Sequence, residues 1–155
     1  MNIKLIKIGL TEIDKLKKMM QLYLHDLNSN FSIDFNSDRC EYEYDLSSYF
    51  EKNIGYFIKS ENKILGFVLV DINSNSDFEL SEMFVLNNYK GKSIGTKAVK
   101  MIFDLYKGNW VIKAVPNSVG AENFWKKVVE EYTNNNYKIL HTGKYNRAEL
   151  YFISK

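Results

Sequence analysis

Apolar and polar residues along the chain follow two periods, one typical of strands and one typical of helices. Alternation predicts strands over residues 2–8, 55–59, 63–72, 78–86, 110–115, 137–141 and 147–153. Apolar residues three and four positions apart predict helices over about 12–27, 44–52, 95–106 and 121–132, the first of them capped by Thr11. No repeat or linker divides this α/β pattern, so we expect one domain over residues 1–155.

Composition and charge exclude several classes of protein. The 155 residues carry a net charge of +2, which gives no strong attraction to nucleic acid or to a membrane surface. The longest apolar run, around residues 64–70, is interrupted by Gly66 and is too short to span a bilayer. The N-terminus lacks the apolar core of a signal peptide, and the single Cys40 cannot form an internal disulfide. We therefore expect a cytoplasmic protein with no nucleic-acid or membrane partner.

The segment from Met83 to Thr96 carries most of the functional information. An apolar run ends at a polar turn, a loop with glycines and two lysines follows, and an amphipathic helix then begins. Free backbone N–H groups and the positive end of the helix dipole suit such a loop to phosphate oxygens. It is not a P-loop, because Leu86 stands where the first glycine is required, and it lacks the third glycine of a dinucleotide fingerprint. The loop therefore predicts a phosphorylated cofactor of another class.

The loop sequence Lys90-Gly91-Lys92-Ser93-Ile94-Gly95 resembles the coenzyme A pyrophosphate loop of GNAT-type N-acetyltransferases, whose pattern is Arg/Gln-x-x-Gly-x-Gly/Ala. Gly95 matches the last glycine, Lys90 stands in place of Arg/Gln, and Ser93 replaces the middle glycine. Ser93 still allows a phosphate to approach closely, but we expect it to give up the positive φ that glycine adopts readily.

A second match to the same family lies downstream, where its members often carry Asn-x-x-Ala-x-x-Phe-Tyr. The chain reads Asn117-Ser118-Val119-Gly120-Ala121-Glu122-Asn123-Phe124-Trp125. Asn117 is one residue too far from Ala121, so Ser118 is an alternative for the asparagine position, and Trp125 replaces the tyrosine. The Phe-Trp pair resembles a bacterial branch of these acetyltransferases. The order of elements also resembles the GNAT acyl-CoA N-acyltransferase fold, which implies a mixed, mostly antiparallel sheet of about seven strands with about four helices.

The resemblance implies a binding site for acetyl-CoA. In this family the fourth strand parts from the fifth and the pantetheine arm lies in the gap, so backbone groups of Phe84 and Val85 are expected to bond its amides. Backbone N–H groups from Lys92 to Thr96 are expected to hold the pyrophosphate, with the Ser93 and Thr96 hydroxyls and the Lys90 and Lys92 ammonium groups nearby. The full set of expected cofactor-binding residues is Phe84, Val85, Lys90, Gly91, Lys92, Ser93, Ile94, Gly95, Thr96, Asn117 and Trp125.

Catalysis requires a base that deprotonates the acceptor amine. Strand alternation places Glu82 on the same face as Phe84, and members of this fold often hold a carboxylate near the thioester, so Glu82 is the expected base and Glu79 the weaker candidate. Trp125 is too weak an acid to protonate the leaving thiolate, and Tyr132 is expected to lie too far away. Either water supplies that proton or no dedicated acid is needed.

The acceptor is less well defined by the sequence. The run Glu41-Tyr42-Glu43-Tyr44-Asp45 falls where GNAT proteins shape the acceptor pocket, and alternating acids and tyrosines would suit a cationic amine. The two histidines and Cys40 form no metal-ligand pattern, so no metal is expected. We expect an N-acetyltransferase, monomeric or homodimeric, that moves an acetyl group from acetyl-CoA to an amine by direct attack in a ternary complex. The alternatives are an acyl-CoA-binding regulatory domain and an interaction module without a cofactor.

Overall fold

A seven-stranded mixed sheet with helices on both faces forms the body of the protein. The computed structural model describes residues 1–47 and 49–155, without the side chains of residues 49 and 50. The strands are β1 Lys4–Lys7, β2 Phe35–Asn36, β3 Glu41–Tyr42, β4 Asn53–Ser60, β5 Lys63–Ser74, β6 Asp77–Val85, β7 Gly108–Lys113, β8 Lys138–Thr142 and β9 Arg147–Ser154. The helices are α1 Ile13–Leu27, α2 Tyr49–Lys52, α3 Ile94–Leu105 and α4 Val119–Thr133. The main sheet has the order β1-β4-β5-β6-β7-β9-β8, and β2 pairs with β3 apart from it.

The predicted strands and helices are present in the predicted order, with three differences. Thr11 does not cap the first helix, because a 3₁₀ turn over Leu10–Glu12 precedes α1 and Glu12 occupies the cap position. The pair β2–β3 lies in a stretch whose sequence shows no period. The predicted helix over 44–52 is the short α2, while Ser48 and the side chains of Tyr49 and Phe50 lie outside the described part of the chain.

Two apolar cores lie on opposite faces of the sheet. One face packs against α3 and α4, whose buried residues include Ile102, Phe103 and Val128. The other face packs against α1, where Tyr23 contacts Phe67 and Phe84 with ring centroids 5.8 Å apart in each pair. No helix in the described residues is long and apolar enough to cross a membrane.

A β-bulge at Ser81 divides β6 into two parts with opposite alternation. Leu69 of β5 faces Glu82 and Val70 faces Leu80, so Ser81 has no opposite residue. A bulge bends its strand and resets which side chains point to which face. Leu80 therefore faces α3 and α4, whereas Glu82 faces α1.

The bulge coincides with the point where β6 separates from β7. The parallel pairing runs from Asp77 opposite Asn109 to Leu80 opposite Ile112, and β6 then continues alone to Val85. Among the described residues, the edge of β6 that faced β7 is therefore without a strand partner over its last five residues, 81–85. Backbone N–H and C=O groups along such an edge are available to an extended ligand.

Candidate active site

The loop between β6 and α3 has the geometry of an anion site. Gly91 has φ +76°, and Ser93, which directly precedes α3, has φ +62°. The first helical hydrogen bond joins the Lys97 N–H to the Ser93 carbonyl at 3.0 Å. The N–H groups of residues 94–96 precede that bond and have no acceptor within the helix. They point, with the positive end of the helix dipole, into the space that the loop encloses.

Ser93 adopts the positive φ that the sequence suggested it would give up. Its left-handed conformation keeps the loop in the shape that a glycine would allow, at a cost of roughly 1 kcal/mol for a residue with a Cβ. The Ser93 hydroxyl makes no capping bond to α3. The replacement of glycine by serine therefore preserves the loop geometry and adds a hydroxyl that does not cap the helix.

The two loop lysines lie beside the helix start but are held differently. The Lys90 ammonium is 3.4 Å from the Asp26 carboxylate of α1 and lies 5.8 Å from the centroid of the Phe84 ring. The Lys92 ammonium lies 5.7 Å from the centroid of the Tyr89 ring. Lys90 is thus ion-paired with a carboxylate, whereas Lys92 has no ion pair within the described residues.

Close packing of two glycines brings the loop and the open edge of β6 together. A Cβ on Gly95 would approach Phe124 to 3.5 Å and would press on the flexible end of Met83, so this residue allows α3 to begin directly against β6. A Cβ on Gly66 would overlap the carbonyl of Phe84, so only glycine fits beside the end of β6. The side chains of Phe84 and Val85 are buried on opposite faces, and their backbone alone remains for a ligand.

Glu82 is a largely buried carboxylate on the α1 side of the open edge. Burial raises its pKa to about 7, and the negative charge of Asp71 acts in the same direction. Hydrogen bonds from the Tyr23 and Tyr44 hydroxyls and the positive charge of Arg147 oppose the increase. A carboxylate with a pKa near neutrality can take up a proton at working pH, as a general base must.

The second candidate base, Glu79, is engaged elsewhere. Its carboxylate lies 3.4 Å from the Lys113 ammonium. Because this ion pair orients the Glu79 carboxylate toward Lys113, Glu79 is less available than Glu82 to an incoming amine.

Arg147 fixes the end of β7 at the point of separation. Its Nε donates to the Ala114 carbonyl at 3.0 Å and its Nη2 donates to the Lys113 carbonyl at 3.3 Å. The same guanidinium lowers the pKa of Glu82. Arg147, Asp71 and Tyr23 were not predicted from the sequence, because no local period or motif marks residues that come together only in the folded sheet.

At the start of α4, Asn117 and Ser118, the two candidates for the asparagine of the family motif, have different contacts. Ser118 is the N-cap of the helix, and its hydroxyl accepts a hydrogen bond from the Ala121 N–H at 3.1 Å. Asn117 has φ +60°, and its side-chain amide donates to the Asn30 carbonyl at 3.2 Å. Ser118 therefore holds the position three residues before Ala121, while Asn117 ties the loop to the end of α1.

The aromatic residues of α4 lie in the core. Trp125 is buried in the core that α3 and α4 share with the sheet, with its ring centroid 4.9 Å from that of Phe124. The Tyr132 hydroxyl makes hydrogen bonds to Asp104 and Ser154, both at 2.8 Å. Neither residue contacts Glu82, and no described cluster of three or more His, Cys, Asp or Glu residues could hold a metal ion.

These observations fit an anionic, amide-bearing cofactor. Phosphate oxygens match the N–H groups at the start of α3, and a chain of amides matches the open edge of β6. Glu82 lies on that edge, two residues before Phe84. The arrangement can hold an extended thioester cofactor beside a titratable carboxylate.

Comparison with known proteins identifies the family to which the chain belongs. The model of the Acetyltransferase (GNAT) family matches residues 16–129. Similar solved structures include an acetyltransferase from Thermus thermophilus (8% identity, TM-score 0.71, covering 99% of this chain and 97% of that one). A PaiA N-acetyltransferase from Thermoplasma acidophilum in complex with coenzyme A is 14% identical with a TM-score of 0.61, covering 97% and 98%.

A spermidine N-acetyltransferase from Vibrio cholerae, in complex with CoA and spermine, is 10% identical with a TM-score of 0.63, covering 98% of this chain and 95% of that one. No curated protein matches the sequence. The sheet with its parted strands is the GNAT fold, and the chain belongs to the Acetyltransferase (GNAT) family.

Proposed function

We propose that this protein is an acetyl-CoA-dependent N-acetyltransferase that acts on an amine acceptor. The observation that carries the proposal is Glu82, a partly buried carboxylate with a pKa of about 7 at the point where β6 and β7 part. A protein that only bound coenzyme A would not need a titratable group at this position.

The cofactor would be held mainly by backbone. The N–H groups of residues 92–96 would bind the pyrophosphate, with the Ser93 and Thr96 hydroxyls and the Lys92 ammonium beside them. Lys90 would contribute less, because Asp26 already compensates its charge. The backbone of Phe84 and Val85 would bond the pantetheine amides along the open edge.

Two further cofactor assignments depend on α4. Ser118 and Asn117 lie at its start, after the end of β7, and remain candidates for cofactor contact. Trp125 would act from the core, by fixing the packing of α4.

Glu82 would remove a proton from the acceptor ammonium, directly or through water. The free amine nitrogen then bonds to the acetyl carbon, the carbon–sulfur bond of the thioester breaks, and the nitrogen gives up its second proton to water to become the amide. Acetyl-CoA supplies the acetyl group, and its sulfur leaves as a thiolate. The Tyr23 and Tyr44 hydroxyls hydrogen bond to Glu82, and burial raises the pKa of both phenols, so they orient the carboxylate and are poor proton donors to the sulfur. Water would protonate the thiolate.

The decisive experiment measures thiol release from acetyl-CoA with a panel of amines. The Glu82→Gln variant keeps the shape of the site and removes the base, so kcat/KM should fall roughly 100-fold or more while acetyl-CoA still raises the melting temperature. Glu79→Gln is the matched control, since it removes a carboxylate from the same strand and should change the rate less than about threefold. Equal rates for wild type and Glu82→Gln would rule out Glu82 as the base.

One alternative is a regulatory domain that binds acyl-CoA with little turnover. It is favoured by Trp125, which stands in the core where many relatives carry the tyrosine acid. Stabilisation by acetyl-CoA without thiol release from any amine would support it. No stabilisation by coenzyme A at all would favour an interaction module. A cytoplasmic location and a monomeric or homodimeric state stay predictions.

A further inference from the structure

A cavity of about 650 Å³ lies at the end of the sheet where β6 leads into the loop before α3. Its walls come from residues 1–4 around the start of β1, from the turn between β4 and β5, and from Tyr89. Its volume falls within the range of roughly 300–1,000 Å³ that is typical of small-molecule sites. None of the residues assigned above to the pantetheine or the pyrophosphate lines it.

The cavity adjoins the proposed pyrophosphate site. Tyr89 lines it and belongs to the 3₁₀ turn Asn87–Tyr89, directly before the loop that starts α3. The Lys92 ammonium of that loop lies 5.7 Å from the centroid of the Tyr89 ring. The Leu86 N–H donates at 2.8 Å to the carbonyl of Leu65, another residue of the cavity wall. A ligand that leaves the loop on this side therefore enters the cavity directly.

The floor of the cavity is apolar and aromatic. Leu65 is fully buried, and Ile3 and Tyr89 are partly buried against the core that faces α3 and α4. A planar base can pack on such a floor, and stacking on a tyrosine ring is open to any base. The Asn2 amide and the Ser60 hydroxyl on the walls can form hydrogen bonds with a base or a sugar.

The rim of the cavity carries an excess of positive charge. Lys4 and Lys63 line it, are exposed, and have no ion pair among the described residues. Glu61, on the turn between β4 and β5, is the one acid among the lining residues. The Lys92 ammonium beside Tyr89 adds to the excess. An anionic ligand is therefore favoured over a cationic one.

We propose that this cavity binds the 3′-phosphoadenosine end of coenzyme A, with the adenine on Tyr89 and the 3′-phosphate at Lys4 and Lys63. Beyond its pyrophosphate the cofactor carries a planar base and an anionic group, which match the floor and the rim. The inference rests on the proposed function and names the residues that hold the part of the cofactor outside the gap between β6 and β7.

Calorimetric binding of coenzyme A and of dephospho-CoA, which lacks the 3′-phosphate, tests the basic rim. Charge-assisted contacts from two ammonium groups should make coenzyme A bind about five- to twentyfold more tightly to the wild type. The preference should shrink as salt is raised from low to physiological strength and above, because the two lysines are exposed.

Charge reversal supplies the matched variants. In Lys4→Glu/Lys63→Glu the preference should vanish or invert, so that dephospho-CoA binds at least as tightly as coenzyme A. Lys7→Glu/Lys138→Glu is the control, because it makes the same change in net charge at two exposed lysines outside the cavity. Lys7 ends β1 and Lys138 begins β8, and this variant should keep the preference.

Tyr89 is tested with a third ligand, 4′-phosphopantetheine, which has no adenosine. Tyr89→Ala should weaken coenzyme A and dephospho-CoA alike, by about tenfold, and should leave 4′-phosphopantetheine unchanged. Tyr89→Phe keeps the ring and should bind all three ligands like the wild type. A general disturbance of the neighbouring loop would weaken all three in Tyr89→Ala.

The outcomes separate this inference from the proposed function. Equal binding of coenzyme A and dephospho-CoA by the wild type, a preference that survives Lys4→Glu/Lys63→Glu, or an equal loss in the control variant overturns the assignment of the cavity. Weakening of 4′-phosphopantetheine by Tyr89→Ala overturns the stacking on Tyr89. Thiol release from acetyl-CoA with an amine would continue in each of these cases, whereas no binding of coenzyme A and no thiol release overturn the acetyltransferase and the inference with it.

Discussion

Single residues decide whether the anion site keeps its shape. Gly91 adopts a positive φ without strain, whereas Ser93 adopts one although its Cβ disfavours it. The loop therefore depends on surrounding contacts to hold Ser93 in place. The site retains the family's backbone geometry at a position where the side chain departs from the family pattern.

Ser93→Gly should stabilise the protein. Removing the Cβ relieves the strain of the left-handed backbone, whereas the greater freedom of glycine in the unfolded chain offsets part of this gain. The free energy of unfolding should therefore rise by about 0.5 kcal/mol. Urea denaturation measures the change, and binding of coenzyme A should be kept. The same substitution at Ser118 is the control: that residue is extended and caps α4, so Ser118→Gly should give no gain. A loss of stability in Ser93→Gly would mean that the hydroxyl matters more than the strain.

At the level of elements, the separation of β6 from β7 creates the site. The bulge at Ser81 turns β6 away after Leu80, and Arg147 of β9 binds the two carbonyls at the end of β7. Both strands are thus fixed where pairing ends. Arg147 also places a positive charge among the groups that face Glu82, which are Tyr23, Tyr44 and Asp71.

Arg147→Ala should therefore change the pH dependence of the reaction. Without the guanidinium the pKa of Glu82 rises further above 7, so the acidic limb of the kcat/KM profile should move to higher pH by somewhat less than about one unit. Arg147→Lys should restore most of the shift, which loss of structure alone would not produce. Arg39→Ala, which removes an arginine that faces Glu41 and Glu43, should leave the limb in place.

The elements show what a sequence can and cannot predict. The loop was predictable because Gly91 and Gly95 lie close together in the chain and a helix follows them. The shared face of Glu82 and Phe84 followed from alternation over two residues. The same alternation extended back to Leu80 places that residue on the wrong face, because the bulge at Ser81 has no local signal. Arg147 reaches the site only through the pairing of β9 with β7, which no local pattern encodes.

For the whole molecule, the ionised form of the proposed base lowers the free energy of unfolding. The pKa of Glu82 is raised from 4.5 to about 7 by burial, so the folded state favours the protonated carboxyl. A carboxyl of this kind stabilises the fold fully below pH 4.5, and that stabilisation is lost as pH rises through about 7. Above neutral pH the protein therefore keeps an ionised group in a place where an uncharged one would be more stable.

Glu82→Gln should accordingly be more stable than the wild type at high pH while being inactive. The difference in unfolding free energy should be near zero at pH 4.5 and should grow to about 1–3 kcal/mol by pH 8, in proportion to the raised pKa. Urea denaturation across this range, without cofactor, measures it. Glu79→Gln removes a partly exposed ion pair with Lys113 and should show no such growth. If the difference between the two proteins does not change with pH, the fold does not favour the protonated form of the Glu82 carboxyl. The main physical support for its role as the base would then be lost.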